Sequence, residues 1–168
     1  VRQPSTLFFM LLVPVLQTII FGYAINTQIE NIPTVVLDLD GRRPAQELIE
    51  SFENTRRFKI VQRVNDQNTF DQLMRAGQAH VGLQIPPNYS DRLLHGEQVQ
   101  VQVLIDGSDS QVASTALNTA NLLGIKLSIA MAQRKAQGLL FAPARSPTGQ
   151  AALPIDIRAR LLYNPDLE

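Results

Sequence analysis

Apolar positions along this chain follow two regimes. Between Arg2 and Glu30 lie 27 consecutive uncharged residues, and Ser5 to Ile25 holds 15 apolar side chains out of 21. A bilayer core about 30 Å thick takes about 20 helical residues at about 1.5 Å each, so the run has the length of one crossing. In lipid every backbone N–H and C=O must pair internally, which makes a helix the required form. Pro14, near the middle, removes one hydrogen bond, a loss that membrane helices tolerate. Gln17 and Thr18 point to one side of the helix facing protein rather than lipid. Two other readings compete. Gly22-Tyr23-Ala24 offers the small residues of a signal-peptide cleavage site, but the apolar core of a signal is about 7–15 residues and the basic segment here is one Arg. A buried core helix seldom runs so far without a charge. The expectation is a membrane span over 1–30. Arg2 precedes it and no Lys or Arg follows until Arg42, so the positive-inside rule puts the N-terminus in the cytoplasm and the rest outside.

From Asn31 to Glu168 the period alternates between strand and helix. Thr34 to Leu39 reads as a strand apolar on both sides. Pro44 suits the first turn of a helix, and Ala45, Leu48, Ile49 and Phe52 then form one apolar face. Lys59 to Val64 predicts a second strand. Asn65 or Asp66 caps a helix bearing Phe70, Leu73 and Met74, which Gly77 stops. Val81, Leu83 and Ile85 alternate as a third strand, and Pro86-Pro87 open a short helix with Tyr89 and Leu93, ended by Gly96. Val99, Val101, Val103 and Ile105 alternate with polar neighbours in a fourth strand. Asp106 to Asp109 forms a turn and helix cap. The longest later helix runs from Ser110 to Gln137, with Val112, Ala116, Ala120, Leu123, Leu127 and Ala130 as its inner stripe. Ala142 to Pro154 is a Pro-rich loop, and Ile155 to Tyr163 is the last strand. Alternating strands belong to a sheet with one packed and one wet face. The fold class is therefore α/β (α+β): a mixed, roughly five-stranded sheet with helices mainly on one face, not a doubly wound parallel sheet.

Composition narrows the chemistry. Fifteen basic side chains balance fifteen acidic ones, so no sequence-wide basic field would attract nucleic acid. The chain has no cysteine, which excludes disulfides, thiolate metal sites and thiol nucleophiles. A mean hydropathy of −0.02 resembles an ordinary soluble domain only because it averages the two regimes. Val35 to Gly41 ends in Asp38-Leu39-Asp40-Gly41, similar to the nucleophile motif of haloacid-dehalogenase-type phosphatases. That chemistry would use Asp38 as nucleophile and Asp40 as acid/base, with Mg²⁺ between carboxylates. It also needs a later Lys and a further acidic pair at strand ends, whereas Lys126 and Lys135 fall within the long helix. A strand end followed by a turn accounts for both Asp residues. Asp106 to Ser110 is too short for an EF-hand loop and lacks its closing Glu. His80 and His95 have no partner at metal-ligand spacing. No P-loop and no nucleophile elbow occurs. Arg42-Arg43 and the Arg56-Arg57-Phe58-Lys59 cluster, offset by Glu47, Glu50 and Glu53, read as solvated faces. No catalytic, cofactor or metal residues are assigned.

The layout resembles the first part of an ABC-2-type transporter permease, of the subclass with a large extracytoplasmic domain between its first two membrane helices. The resemblance is carried by Pro14-Val15-Leu16-Gln17, by Phe21-Gly22-Tyr23-Ala24-Ile25-Asn26 and by Asn31-Ile32-Pro33 with the strand ending Leu37-Asp38-Leu39-Asp40. Val103 to Asp109 and Tyr163-Asn164-Pro165 continue it in the same order. It implies a subunit of a bacterial inner-membrane export system with residues 31–168 outside the cytoplasm, no cofactor, and no catalysis on this chain. It further implies a second permease subunit, as homo- or heterodimer, cytoplasmic ATP-binding subunits that hydrolyse ATP, and often a periplasmic adaptor and outer-membrane channel. The family's second membrane helix would begin about where Glu168 falls, so the sequence is expected to be the N-terminal part of something longer or a truncated product. The outer domain would gate, hand over substrate or dock a partner, with the long helix Ser110 to Gln137 as a candidate surface on which Ala113, Ala116 and Ala120 allow close helix approach. Two alternatives remain: a single-span anchored binding or sensor module, and a phosphatase-like enzyme using Asp38 and Asp40.

Overall fold

A computed structural model describes residues 4–24, 29–137, 146 and 153–162. The elements in chain order are α1 (Pro4–Ala24), β1 (Ile32–Asp38), α2 (Arg43–Glu53), β2 (Phe58–Val64) and α3 (Gln67–Arg75). They continue with β3 (Val81–Ile85), α4 (Tyr89–Leu94), β4 (Val99–Asp106), α5 (Ser110–Gln137) and β5 (Ile155–Leu162). The five strands form one sheet in the order β2-β1-β3-β4-β5. β1 is parallel to β2 and β3, β3 is antiparallel to β4, and β4 is parallel to β5. The mixed five-stranded sheet expected from the periodicity is present. Tyr163 and most of the Ala142 to Pro154 loop lie outside the described residues.

Topology dictates which face each helix covers. The chain leaves β1 for the edge strand β2 and then returns across β1 to β3. Right-handed crossovers in opposite directions put their helices on opposite faces. α2 accordingly packs with α4 and α5 on one face, through Leu48, Ile49, Phe52, Tyr89 and Ala116. Among the described residues α3 alone covers the other, where Phe70 packs on Val35, Leu37 and Ala79. This is why β1 needs apolar residues on both sides: Val36 faces the larger core while Val35 and Leu37 face the smaller. Beyond the reach of α3, the second face of β4 and β5 is polar, with Gln102 paired to the exposed Arg158 in register.

Local signals place the helix ends. Pro44 sits in the first turn of α2, whose Ala45, Leu48, Ile49 and Phe52 are all buried. Asp66, not Asn65, caps α3 by accepting from the Thr69 N–H at 2.8 Å. Asp109 caps α5, accepting from the N–H groups of Gln111 and Val112 at 2.8 and 3.1 Å. Gly77 ends α3 with φ of 65°, a conformation that costs a residue with a Cβ more. α5 has 28 residues and rises about 42 Å, so it outruns the strands it covers.

The chain enters and leaves the sheet at the same end. β4 and β5 run opposite to β1, which puts the end of β5 at the same end of the sheet as the start of β1, with β3 and β4 between them. A row of backbone hydrogen bonds runs across that end from β1 to β5. The His80 N–H donates to Pro33 O at 2.9 Å, the Asp106 N–H to His80 O at 2.8 Å, and the Gly107 N–H to Leu162 O at 3.0 Å.

The N-terminal run is helical as expected, with Pro14 inside α1. Most of its described apolar side chains, among them Phe8, Met10, Leu11, Ile19 and Phe21, are exposed, with Leu12 half-buried. The Thr18 hydroxyl does not seek a protein partner outside the helix; it donates back to Pro14 O at 2.8 Å. The expected membrane crossing needs correction on one count: among the described residues no helix is long and apolar enough to cross a membrane.

Candidate functional site

Ligands of open α/β sheets lie outside the carboxyl ends of neighbouring strands whose connections leave in opposite directions. Here that point falls between β1 and β3, where Asp38 and Asp40 stand. The structure fills it. Asp38 Oδ1 accepts from the backbone N–H groups of Asp40 and Gly41 at 3.1 and 2.9 Å, which shapes the turn after β1. The Asp40 side chain has no solvent exposure. It accepts from the Ser90 N–H at 3.1 Å and the Ser90 hydroxyl at 2.5 Å. Arg42 donates to Asp40 at 2.9 Å and holds Asp91 with two bonds of 2.6 and 2.8 Å. Burial opposes ionisation of Asp40, but the Ser90 and Arg42 hydrogen bonds outweigh it and hold the carboxyl below the usual carboxylate range. An acid/base residue would be tuned the other way, toward the working pH. The motif joins β1 to the start of α4, and the turn reading of the two Asp residues is the one that the geometry supports.

The other singled-out groups are structural too. Asp106 accepts from the Ser108 N–H and hydroxyl at 3.0 and 2.6 Å and lies 3.3 Å from His80 Nδ1. Its burial is outweighed by these hydrogen bonds, so its carboxyl also ionises below the usual range. His95 ends α4, with Nδ1 2.6 Å from Asp91 O. Among the described residues no group of three or more His, Cys, Asp or Glu could hold a metal ion. The small residues of α5 are a correction: Ala113, Ala116 and Ala120 are buried. They bring α5 close to its own sheet and are not available to a partner. The exposed face of α5 carries Leu122, Ile125 and Ile129 instead. Leu122 and Ile129 each stand about one turn from Ile125, on either side of it, a stripe readable from their spacing but masked by the equally apolar inner face.

One recess was missed. A cleft of about 290 Å³ opens between α2, α4 and α5, with Leu48, Leu93, Leu127 and Met131 among its lining residues. The charged residues in its wall are Glu47 and Glu50. Tyr89 forms part of the wall; its ring is buried and its hydroxyl has no hydrogen-bond partner among the described residues. Burial drives the Tyr89 phenol well above its ordinary value, and the negative charges of Asp40 and Glu47 act in the same direction.

A mixed α/β sheet that the chain enters and leaves at the same end of its strands, preceded by an apolar helix, is thus the class of protein at hand. The crystal structure of a domain of a proposed ABC type-2 transporter from Thermotoga maritima MSB8 has a similar fold, with a TM-score of 0.52 at 18% identity over 78% of this chain and 86% of that one. The family model described as ABC-2 family transporter protein matches residues 4–167. The chain belongs to the ABC-2 transporter family. Membership implies a transport component located in a membrane, working with ATP-binding subunits and another permease. No curated protein gives a significant match.

Proposed function

We propose that this chain is part of a permease subunit of an ABC-type export system in a bacterial inner membrane. Residues 1–30 form its membrane-crossing segment and residues 31–168 its extracytoplasmic domain. The observation that carries this reading is that Ile32, which begins β1, and Leu162, which ends β5, lie at the same end of the sheet. A domain inserted between two membrane helices must receive and return the chain on the side facing the bilayer, and entry and exit at one end of the sheet suit that demand. Further support comes from 27 uncharged residues around α1 and from the Thr18 hydroxyl bonded within the helix, since lipid demands internal pairing of polar groups. ATP is hydrolysed on separate subunits, and the outer domain gates, hands over substrate, or docks a periplasmic adaptor leading to an outer-membrane channel.

The absence of cysteine makes the test free of background. Gln46→Cys, on the exposed side of α2, is expected to react with a membrane-impermeant maleimide in cells whose outer membrane alone is opened. Gln3→Cys is expected to react only after the inner membrane is opened. Labelling of Gln46→Cys only from the cytoplasmic side would overturn the reading.

A further inference from the structure

We infer that the outer face of α5 is the surface on which this domain pairs with a second copy of the chain, the two α5 helices lying parallel. Family membership supplies a partner permease but no surface. α5 supplies one. Leu122, Ile125, Ile129 and Ala132 are all exposed and follow one another at intervals of three, four and three residues. That is the spacing of a coiled-coil seam. It stands on the side of the helix opposite the buried Ala113, Ala116 and Ala120, so the domain's own core makes no use of it. α5 contains no Asp or Glu. In parallel register Lys126, which flanks the seam, falls opposite the uncharged Asn121 of the second copy. The face therefore meets itself without a clash of like charges.

The direction follows from the topology. α5 runs from the end of β4, where the chain also enters and leaves the sheet, to beyond the start of β5, where Ser128 bonds to Ile155. Two copies anchored in one bilayer, each with its entry end toward it, are related by an axis along the membrane normal, as a closed pair of identical chains. Their α5 helices then run the same way. The inference rests on the membrane crossing proposed for α1, though not on which side of the membrane the domain occupies. Lipid of that bilayer does not cover the stripe, because Ile129 stands next to Ser128 at the end of the sheet remote from chain entry. About three turns of helix bury less than the about 800 Å² per partner of a free-standing complex. Anchoring offsets this, since neighbours tethered side by side meet at an effective concentration on the order of millimolar.

The chain has no cysteine, so single cysteines report without background. The full chain bearing Leu122→Cys, Ile125→Cys or Ile129→Cys is oxidised in its membranes with copper phenanthroline. Asn68→Cys, exposed on α3 across the sheet, serves as the collision control. A disulfide requires Cα atoms within about 7 Å. All three seam variants are expected to self-link, about tenfold or more faster than the control, given the effective concentration of anchored neighbours. Self-linkage at both Leu122 and Ile129 marks a parallel pair, because in an antiparallel pair positions about two turns apart cannot both lie on the axis. Ile125→Asp in the Leu122→Cys chain sets two carboxylates in the seam and is expected to slow linkage about tenfold. The unfolding midpoint should not change, since Ile125 is exposed. Gln46→Cys labelling and Leu16→Asp extraction read the membrane assignment without involving the α5 seam, so failure of the seam and failure of the crossing give different patterns. Linkage of Leu122→Cys or Ile129→Cys at no more than the control rate, linkage solely to a different polypeptide, or quenching of a fluorophore on Ile125→Cys by brominated lipid would each overturn the inference.

Discussion

Ser90 donates to Asp40 twice, through its backbone N–H at 3.1 Å and its hydroxyl at 2.5 Å, across fifty positions of sequence. This one carboxylate ties the turn after β1 to the start of α4, and Arg42 extends the tie to Asp91. Asp40→Ala leaves the buried Ser90 without its acceptor and is expected to destabilise the sheet domain by about 2 kcal/mol. Guanidinium unfolding of the purified chain, followed by circular dichroism, measures it; a loss under about 0.5 kcal/mol, the size of an ordinary surface change, would contradict the tie.

The same residue predicts an acid limb. The folded-state pKa of Asp40 lies below the ordinary value of 3.8, so the native state holds its proton less tightly than the unfolded one. The contribution is fully present above about 3.8 and is lost as pH falls from there through the lower folded value. Asp106 acts in the same direction. The stability difference between the native chain and Asp40→Ala is therefore expected to stay constant from pH 7 to 5 and to shrink below pH 4. A difference that grows on acidification would reverse the sign and refute the assignment.

Phe70 lies so close over Gly82 that a Cβ there would collide with the end of its ring. Phe70 is fully buried between α3 and the sheet, so the ring has little room to yield. Gly82→Ala is expected to cost about 1–3 kcal/mol by overpacking. Phe70→Leu shortens the ring end and should recover part of that loss, giving a double-mutant cycle with clear coupling. Additive losses in the cycle would show that the two sites do not meet.

Much of this fold was legible from spacing alone. The buried faces of α2, at Ala45, Leu48, Ile49 and Phe52, and of β4, at Val99, Val101, Val103 and Ile105, follow directly from helical and strand periods. The Asp109 cap and the Gly77 stop follow from turn chemistry. Long-range relationships were not legible: Asp40 and Ser90 meet only because β3 lies beside β1, and spacing along the chain does not encode sheet order. The partner-facing reading of Ala113, Ala116 and Ala120 failed because small residues permit close approach to any neighbour, and the nearest is the domain's own sheet. The cleft beside Tyr89 escaped notice for a similar reason, since α2, α4 and α5 each contribute only a few side chains to it.

Ser128 is a buried polar residue of α5 with a single evident task. Its hydroxyl donates to Ile155 O at 3.1 Å and accepts from the Ile155 N–H at 3.3 Å. It thus pins the start of β5 to the long helix and satisfies both backbone groups at a site closed to water. Ser128→Ala is expected to cost about 1–3 kcal/mol, the penalty for orphaned buried backbone groups. Hydrogen exchange at Ile155 should accelerate more than exchange in β1. Equal acceleration in both strands would mean that the loss is global and that Ser128 has no local role at β5.

The membrane assignment of α1 predicts a cost that depends on depth. Leu16 lies near the middle of the uncharged run and is about half exposed on the helix surface. A charged residue at the centre of a membrane helix costs about 2.5–3.5 kcal/mol on insertion scales. Leu16→Asp is therefore expected to lower the fraction of chain that resists alkaline extraction from membranes, whereas Gln3→Asp, at the edge of the run, changes it little. The sheet domain makes no demand on Leu16, so the released chain should keep its unfolding transition. If Leu16→Asp stayed in the membrane as fully as the native chain, α1 would not be a crossing segment, and the placement of Ile32 and Leu162 at one end of the sheet would need another explanation.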